Sequence, residues 1–155
     1  MARNDPVQPP QSSPRAVLII LDTSAVSTVM HRLKSSLERL AEHSPADIVL
    51  SAPVAAEVSL GLARLGTTTK RRRLLEGEYR RLREIVRWVD WTESAAWQFG
   101  ILKARLRSRG RMIDDLDIAI GSIAIEMGAR VATHNAKHFR ELEGVDVDDW
   151  GPPFG

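Results

Sequence analysis

The run Ala16-Val17-Leu18-Ile19-Ile20-Leu21, followed at once by Asp22-Thr23-Ser24, constrains this chain more than any other feature. Six apolar residues without alternation suit a strand buried on both faces, as in a parallel sheet covered by helices. The run is far too short to cross a bilayer. It ends in a carboxylate and two hydroxyls, where a parallel strand hands over to a helix and where open α/β sheets bind their ligands.

The rest of the chain repeats the alternation. A helix is expected from Ser24 to about Glu42, with Val26, Val29, Met30, Leu33, Leu37 and Leu40 on one stripe. Ile48-Val49-Leu50 reads as a second strand, and Pro53 opens a helix to about Leu65 at a permitted first-turn position. Lys70 to about Arg83 is expected to be helical despite Gly77, and Val86–Trp91 to be a strand. Thr92 caps a helix with Ala95, Phe99, Leu102 and Leu106 inward, which Gly110 ends. Another helix runs from about Asp115 to Met127 and stops at Gly128; Arg130–Thr133 and Val145–Val147 read as the last strands. Strands alternating with helices predict a parallel, helix-covered α/β sheet in one domain, residues 16–150. Residues 1–15 carry four prolines and no apolar core, and read as a flexible tail; 151–155 form a second short tail.

Composition excludes several classes. The chain has 155 residues, 43% apolar and 27% charged, and no cysteine. A disulfide scaffold, a Cys-based zinc site, a Cys nucleophile and an iron–sulfur cluster are all ruled out. A cytoplasmic location fits that cysteine usage. Net charge is only +2, but it is uneven. Lys70–Arg87 holds eight basic residues against three acidic, and Lys103–Arg111 holds five basic and no acidic. Such stretches attract a polyanion to one face. Arg72 and Arg73, with Arg105 and Arg109, are the positions where charge reversal tests that reading.

Three carboxylates stand where a core residue is expected. Asp22 follows the apolar strand. Glu57 shares a helix face with Val54, Val58 and Gly61, and Asp117 shares one with Ile120, Gly121 and Ala124. Ionised carboxylates on apolar stripes are costly unless a cation compensates them. With no His or Cys at ligand spacing, an oxygen-rich site for Mg²⁺, or Mn²⁺ in its place, is the natural inference. Asp114 lies near the face of Asp117, while Asp115 is expected to point away. There is no phosphate-binding glycine loop, no GxSxG elbow, and no zinc pattern among His31, His43, His134 and His138.

The segments LDTSAV, AAEVSLGL, DLDIAIGSIAIEMG and VATHNAKHF, in this order, resemble the PIN domain, specifically the VapC-type toxins of bacterial toxin–antitoxin pairs. The likeness covers roughly residues 17–148. It implies a three-layer PIN-like fold with a central parallel sheet of four to five strands. It also implies a Mg²⁺-dependent endoribonuclease that leaves a 5′-phosphate, is usually a homodimer, and is neutralised by a cognate antitoxin. On this resemblance Asp22, Glu57 and Asp117 form the catalytic acidic triad, with Asp22 and Asp117 holding the metal. Thr23, Ser24 and Thr133 fall at supporting hydroxyl positions, and Asn135 at that of a fourth polar or acidic residue. His134 stands where the family often has Arg, and His138 where it often has Asp before Phe139. That departure leaves open a degenerate domain that binds RNA or a protein without cutting. A phosphatase forming an aspartyl-phosphate on Asp22 is the other alternative; its usual second acid is replaced by Ser24.

Overall fold

The computed structural model describes residues 16–153; the expected tail of residues 1–15 and the end of the C-terminal one lie outside them. The chain runs β1 (Ile19–Leu21), α1 (Thr23–Met30), α2 (Lys34–Ala41), a 3₁₀ turn (Pro45–Asp47), β2 (Ile48–Ser51), α3 (Ala52–Ala63), α4 (Lys70–Ile85), β3 (Arg87–Val89), α5 (Glu93–Ser108), α6 (Asp115–Met127), β4 (Arg130–Thr133), α7 (Ala136–Arg140) and β5 (Asp146–Asp149). The five strands form one parallel sheet in the order β3-β2-β1-β4-β5.

That order places the site. The chain first builds outward from β1 through β2 to β3, then returns to lay β4 on the other side of β1. The reversal opens a crevice beyond the carboxyl ends of β1 and β4. Leu21 pairs with Ala132 there, so Asp22 and Thr133 emerge side by side.

β1, β2 and most of β4 are buried, as expected of strands covered on both faces. Ile19, Ile20, Leu21, Val49, Leu50 and Val131 form the core with α6. Burying one such side chain is worth about 1.5–3 kcal/mol. Along α6, every residue from Ile118 to Ala124 is buried, so that helix is covered nearly all round. Gly121 permits this, because a Cβ there would lie 2.7 Å from Leu142 Cδ1. Gly128, at φ 65°, ends the helix in the left-handed conformation that glycine adopts most readily. The edge strands β3 and β5 are only partly buried, and β5 reads Asp-Val-Asp-Asp, whose charges discourage edge-to-edge pairing.

Two expectations need correction. The single helix from Ser24 to Glu42 is two helices, broken at Arg32, which takes φ 56°. Its N–H reaches Val29 O at 2.9 Å and the Leu33 N–H reaches Thr28 O at 3.0 Å, the paired bonds of a Schellman stop. Ser36 Oγ donates to Thr28 Oγ1 at 2.7 Å and ties α2 back across the break. The short helix α7 was not expected at all; no side-chain cap marks its start.

Candidate functional site

Asp22 is the N-cap of α1 and is 2% exposed. A buried carboxylate needs donors, and three groups reach it. The Ala25 N–H donates to Oδ1 at 2.8 Å, Ser24 Oγ lies 2.7 and 2.9 Å from Oδ1 and Oδ2, and Thr133 Oγ1 donates to Oδ2 at 2.5 Å. Asp22 also donates its own N–H to Ala132 O, at 3.1 Å, fixing its backbone to β4. The hydroxyls are themselves held. The His134 N–H donates to Ser24 Oγ at 3.0 Å and the Asn135 N–H to Thr133 Oγ1 at 2.8 Å. Burial still outweighs these bonds, and the Asp22 carboxyl is pushed above its ordinary range.

α3 brings Glu57 to the same crevice. Thr23 Oγ1 donates to Glu57 Oε1 at 2.8 Å, joining α1 to α3 directly. Burial raises the Glu57 carboxyl, Thr23 opposes that, and the charges of Asp114 and Asp22 add to it. α6 delivers Asp117 from its first turn. Its carboxyl is pushed up to about 7, by burial first and then by the charges of Asp22, Glu57 and Asp114. Asp114 caps α6, accepting from the Leu116 N–H at 2.9 Å. Asp115 turns away, as expected, and pairs with Lys103 Nζ at 2.7 Å.

The three acids chosen from sequence therefore stand within electrostatic reach of one another, and Asp114 joins them as a fourth. Thr23 serves Glu57, while Ser24 and Thr133 serve Asp22. Asn135 enters through its backbone N–H, and its exposed side chain makes no cap bond to α7. His134 is a link that sequence reading overlooked. Its ring joins Thr28 Oγ1 at 2.9 Å and Gly151 O at 2.6 Å, which ties the end of β4 to α1 and to the chain after β5. Its Nδ1 must carry the proton, since a carbonyl only accepts.

No ion pair among the described residues involves Asp22, Glu57, Asp114 or Asp117. Four acids gathered without a basic partner are an unbalanced charge, and a divalent cation is the compensation that fits oxygen donors. No three His, Asp or Glu side chains among the described residues are drawn in to ligate one ion directly.

Fold and site together define a class: a parallel α/β domain with an acidic cluster at its topological switch point. Residues 19–145 match the PIN domain model, and the chain belongs to that family. It is similar to Ribonuclease VapC2 of Rickettsia felis, 26% identical over 138 residues, which span 86% of this chain and 98% of that one. Its fold matches VapBC2 from Rickettsia felis bound to a promoter DNA fragment (TM-score 0.77, 20% identity, 86% of this chain and 99% of that one). It also matches a toxin–antitoxin complex from Klebsiella pneumoniae (TM-score 0.67, 16% identity, 86% and 98%).

Proposed function

We propose that this chain is a Mg²⁺-dependent endoribonuclease, with Mn²⁺ able to replace Mg²⁺, and the toxin of a toxin–antitoxin pair. The observation that carries the reading is the gathering of four carboxylates from the starts of α1 and α6 and from α3, with no ion-pair partner among the described residues; burial first and then the other three acids push Asp117 up to about 7. A divalent ion bound there supplies polarisation of a phosphodiester and a lowered pKa for water. Membership of the PIN family and the likeness to a protein named a ribonuclease support RNA as substrate.

Each residue then has a task. Asp22 and Asp117 hold the ion. Ser24, Thr133 and the Ala25 N–H aim the Asp22 oxygens, so that this acid is placed before any ligand arrives. Glu57, aimed by Thr23, orients the attacking water or takes its proton. Asp114 adds negative charge at the rim and strengthens the pull on a cation. Four acids rather than three weaken the case for a domain that binds without cutting.

An antitoxin is the proposed protein partner. A cleft of about 240 Å³ lined by Thr23, Met30, Glu57, Val58, Leu62 and Leu75 runs from the acids between α1, α3 and α4. It adjoins a second of about 460 Å³ along α4, where Leu74 is largely exposed. An amphipathic segment suits such a groove, and an Arg or Lys at its end would compete with Mg²⁺ for the acids. A second copy of the chain is the proposed occupant of the outer face of α5, where Trp97 is 73% exposed beside Ile101.

Incubation of the purified protein with total RNA tests the reading. Cleavage in Mg²⁺, its loss in EDTA, and its loss in a folded Asp22→Asn variant are expected. Cleavage that persists in EDTA contradicts the metal-dependent reading.

A further inference from the structure

The basic stretch of α5 does not act as one surface. Arg105 pairs with Glu143 at 3.4 Å and Arg109 donates to Glu141 O at 2.8 Å, so both are turned toward the turn that precedes β5. These contacts engage the two arginines expected to hold a polyanion, without excluding that role. The other cations of the stretch gather elsewhere. Lys103, Arg107 and Arg111 line a cleft of about 360 Å³ with the buried Leu106 and Ile118 beneath them and Asp114 and Asp115 in its wall. Lys103 is engaged with Asp115, and Arg111 is held loosely by Glu141 at 3.7 Å. Arg107 is exposed and has no carboxylate partner among the described residues.

We infer that this cleft is a phosphate subsite for the RNA strand, adjoining the acids at Asp114, with Arg107 as its principal contact. The inference rests on the ribonuclease reading and deepens it. Asp114 is shared: it lines the cleft, and its charge also acts on Glu57 and Asp117. The two places therefore adjoin at Asp114. A strand whose phosphate sits at the acids can extend past the cations, with no sequence read at either point. A planar guanidinium without a competing carboxylate suits the bidentate grip that phosphate oxygens accept. Met112 also lines the cleft and is 97% exposed.

A fluorescent 2′-O-methyl RNA oligonucleotide is the probe, titrated in EDTA over a salt series with the wild-type protein, Arg107→Ala and Arg105→Ala. Cleavage of the matching unmodified RNA in Mg²⁺ is followed in parallel. Arg107→Ala is expected to weaken binding about tenfold and to reduce the slope of log affinity against log salt by about 0.7, one single-strand phosphate contact. KM should rise while kcat holds, and Arg107→Lys should recover part of the loss. Replacing single phosphates by neutral methylphosphonates should reveal one position where the modification costs the wild type affinity and costs Arg107→Ala none. Arg107→Ala indistinguishable from Arg105→Ala overturns the subsite, and wild-type cleavage then leaves the ribonuclease reading standing. A wild-type protein that neither binds nor cuts RNA overturns both.

Discussion

Replacing Asp117 by Asn should stabilise the protein, and only above a certain pH. The Asp117 carboxyl sits at about 7 against an ordinary 3.8, because burial and three neighbouring acids oppose its ionisation. If nothing screened it, ionising such a group would cost the folded state about 4 kcal/mol relative to the unfolded chain. Asp117 keeps some contact with water, so about 2 kcal/mol is the working figure. The sign follows from proton binding. Below pH 3.8 both folded and unfolded chains hold the proton and the penalty is absent. Between pH 4 and 7 the unfolded chain has released it and the folded chain retains it, so stability falls as pH rises. Above 7 the full penalty is present. Asn carries no such charge, so the gain from Asp117→Asn should open between pH 4 and 7 and level off beyond it. For a domain of this size about 2 kcal/mol corresponds to a rise in Tm of about 4–8 °C. Thermal unfolding in EDTA at pH 4 and pH 8 reads this directly. A gain of equal size at both pH values, or a loss at pH 8, would refute the argument that the acids oppose one another. Cleavage should be lost in the same variant.

Thr133→Val removes the 2.5 Å donor to Asp22 and the acceptor for the Asn135 N–H. It should cost about 1–3 kcal/mol in urea unfolding and shift the pH–rate profile upward, since the Asp22 anion loses a bond that favours it. Thr133→Ser should restore both. Gly121→Ala pushes a methyl to 2.7 Å from Leu142 Cδ1 and 3.2 Å from Val145 Cγ2, so it should destabilise by about 1–2 kcal/mol. Gly77→Ala meets nothing within 4 Å in the middle of α4 and should stabilise by about 0.5–1 kcal/mol. Trp97→Glu places a charge on the exposed face of α5. It should halve the mass seen by sedimentation while leaving thermal stability of the monomer within about 0.5 kcal/mol.

The middle of the sheet was legible because β1 and β2 are nearly continuous apolar runs, and the acids because each interrupts an apolar face. Asp22, Glu57 and Asp117 were found by the cost of a charge in such a place, without knowledge of what lay opposite. The break at Arg32 was hidden for the converse reason. The apolar stripe from Val26 to Leu40 keeps its helical spacing through the turn, and no Gly or Pro marks it. The left-handed residue is an arginine, which the local Schellman bonds hold there. α7 is five residues long, too short for periodicity to register. The arginines of α5 show a different limit. Their spacing says that they are on one helix, but whether each meets a carboxylate depends on Glu141 and Glu143, which are distant in sequence and adjacent in space. His134 likewise reads as an odd residue in a motif until Thr28 and Gly151 appear on either side of its ring.

On the proposed reading, Asp22 and Asp117, flanked by Glu57 and Asp114, hold a divalent cation. Isothermal titration with Mg²⁺ or Mn²⁺, repeated in two buffers of different ionisation enthalpy, measures both binding and the protons released with it. A cation that engages Asp117 must displace the proton this carboxyl holds at about 7. Release close to one proton per ion at pH 6, falling toward none at pH 8.5 and absent in Asp117→Asn, is the predicted result. Binding with the same proton release in wild type and Asp117→Asn, or no binding at either pH, would contradict the account.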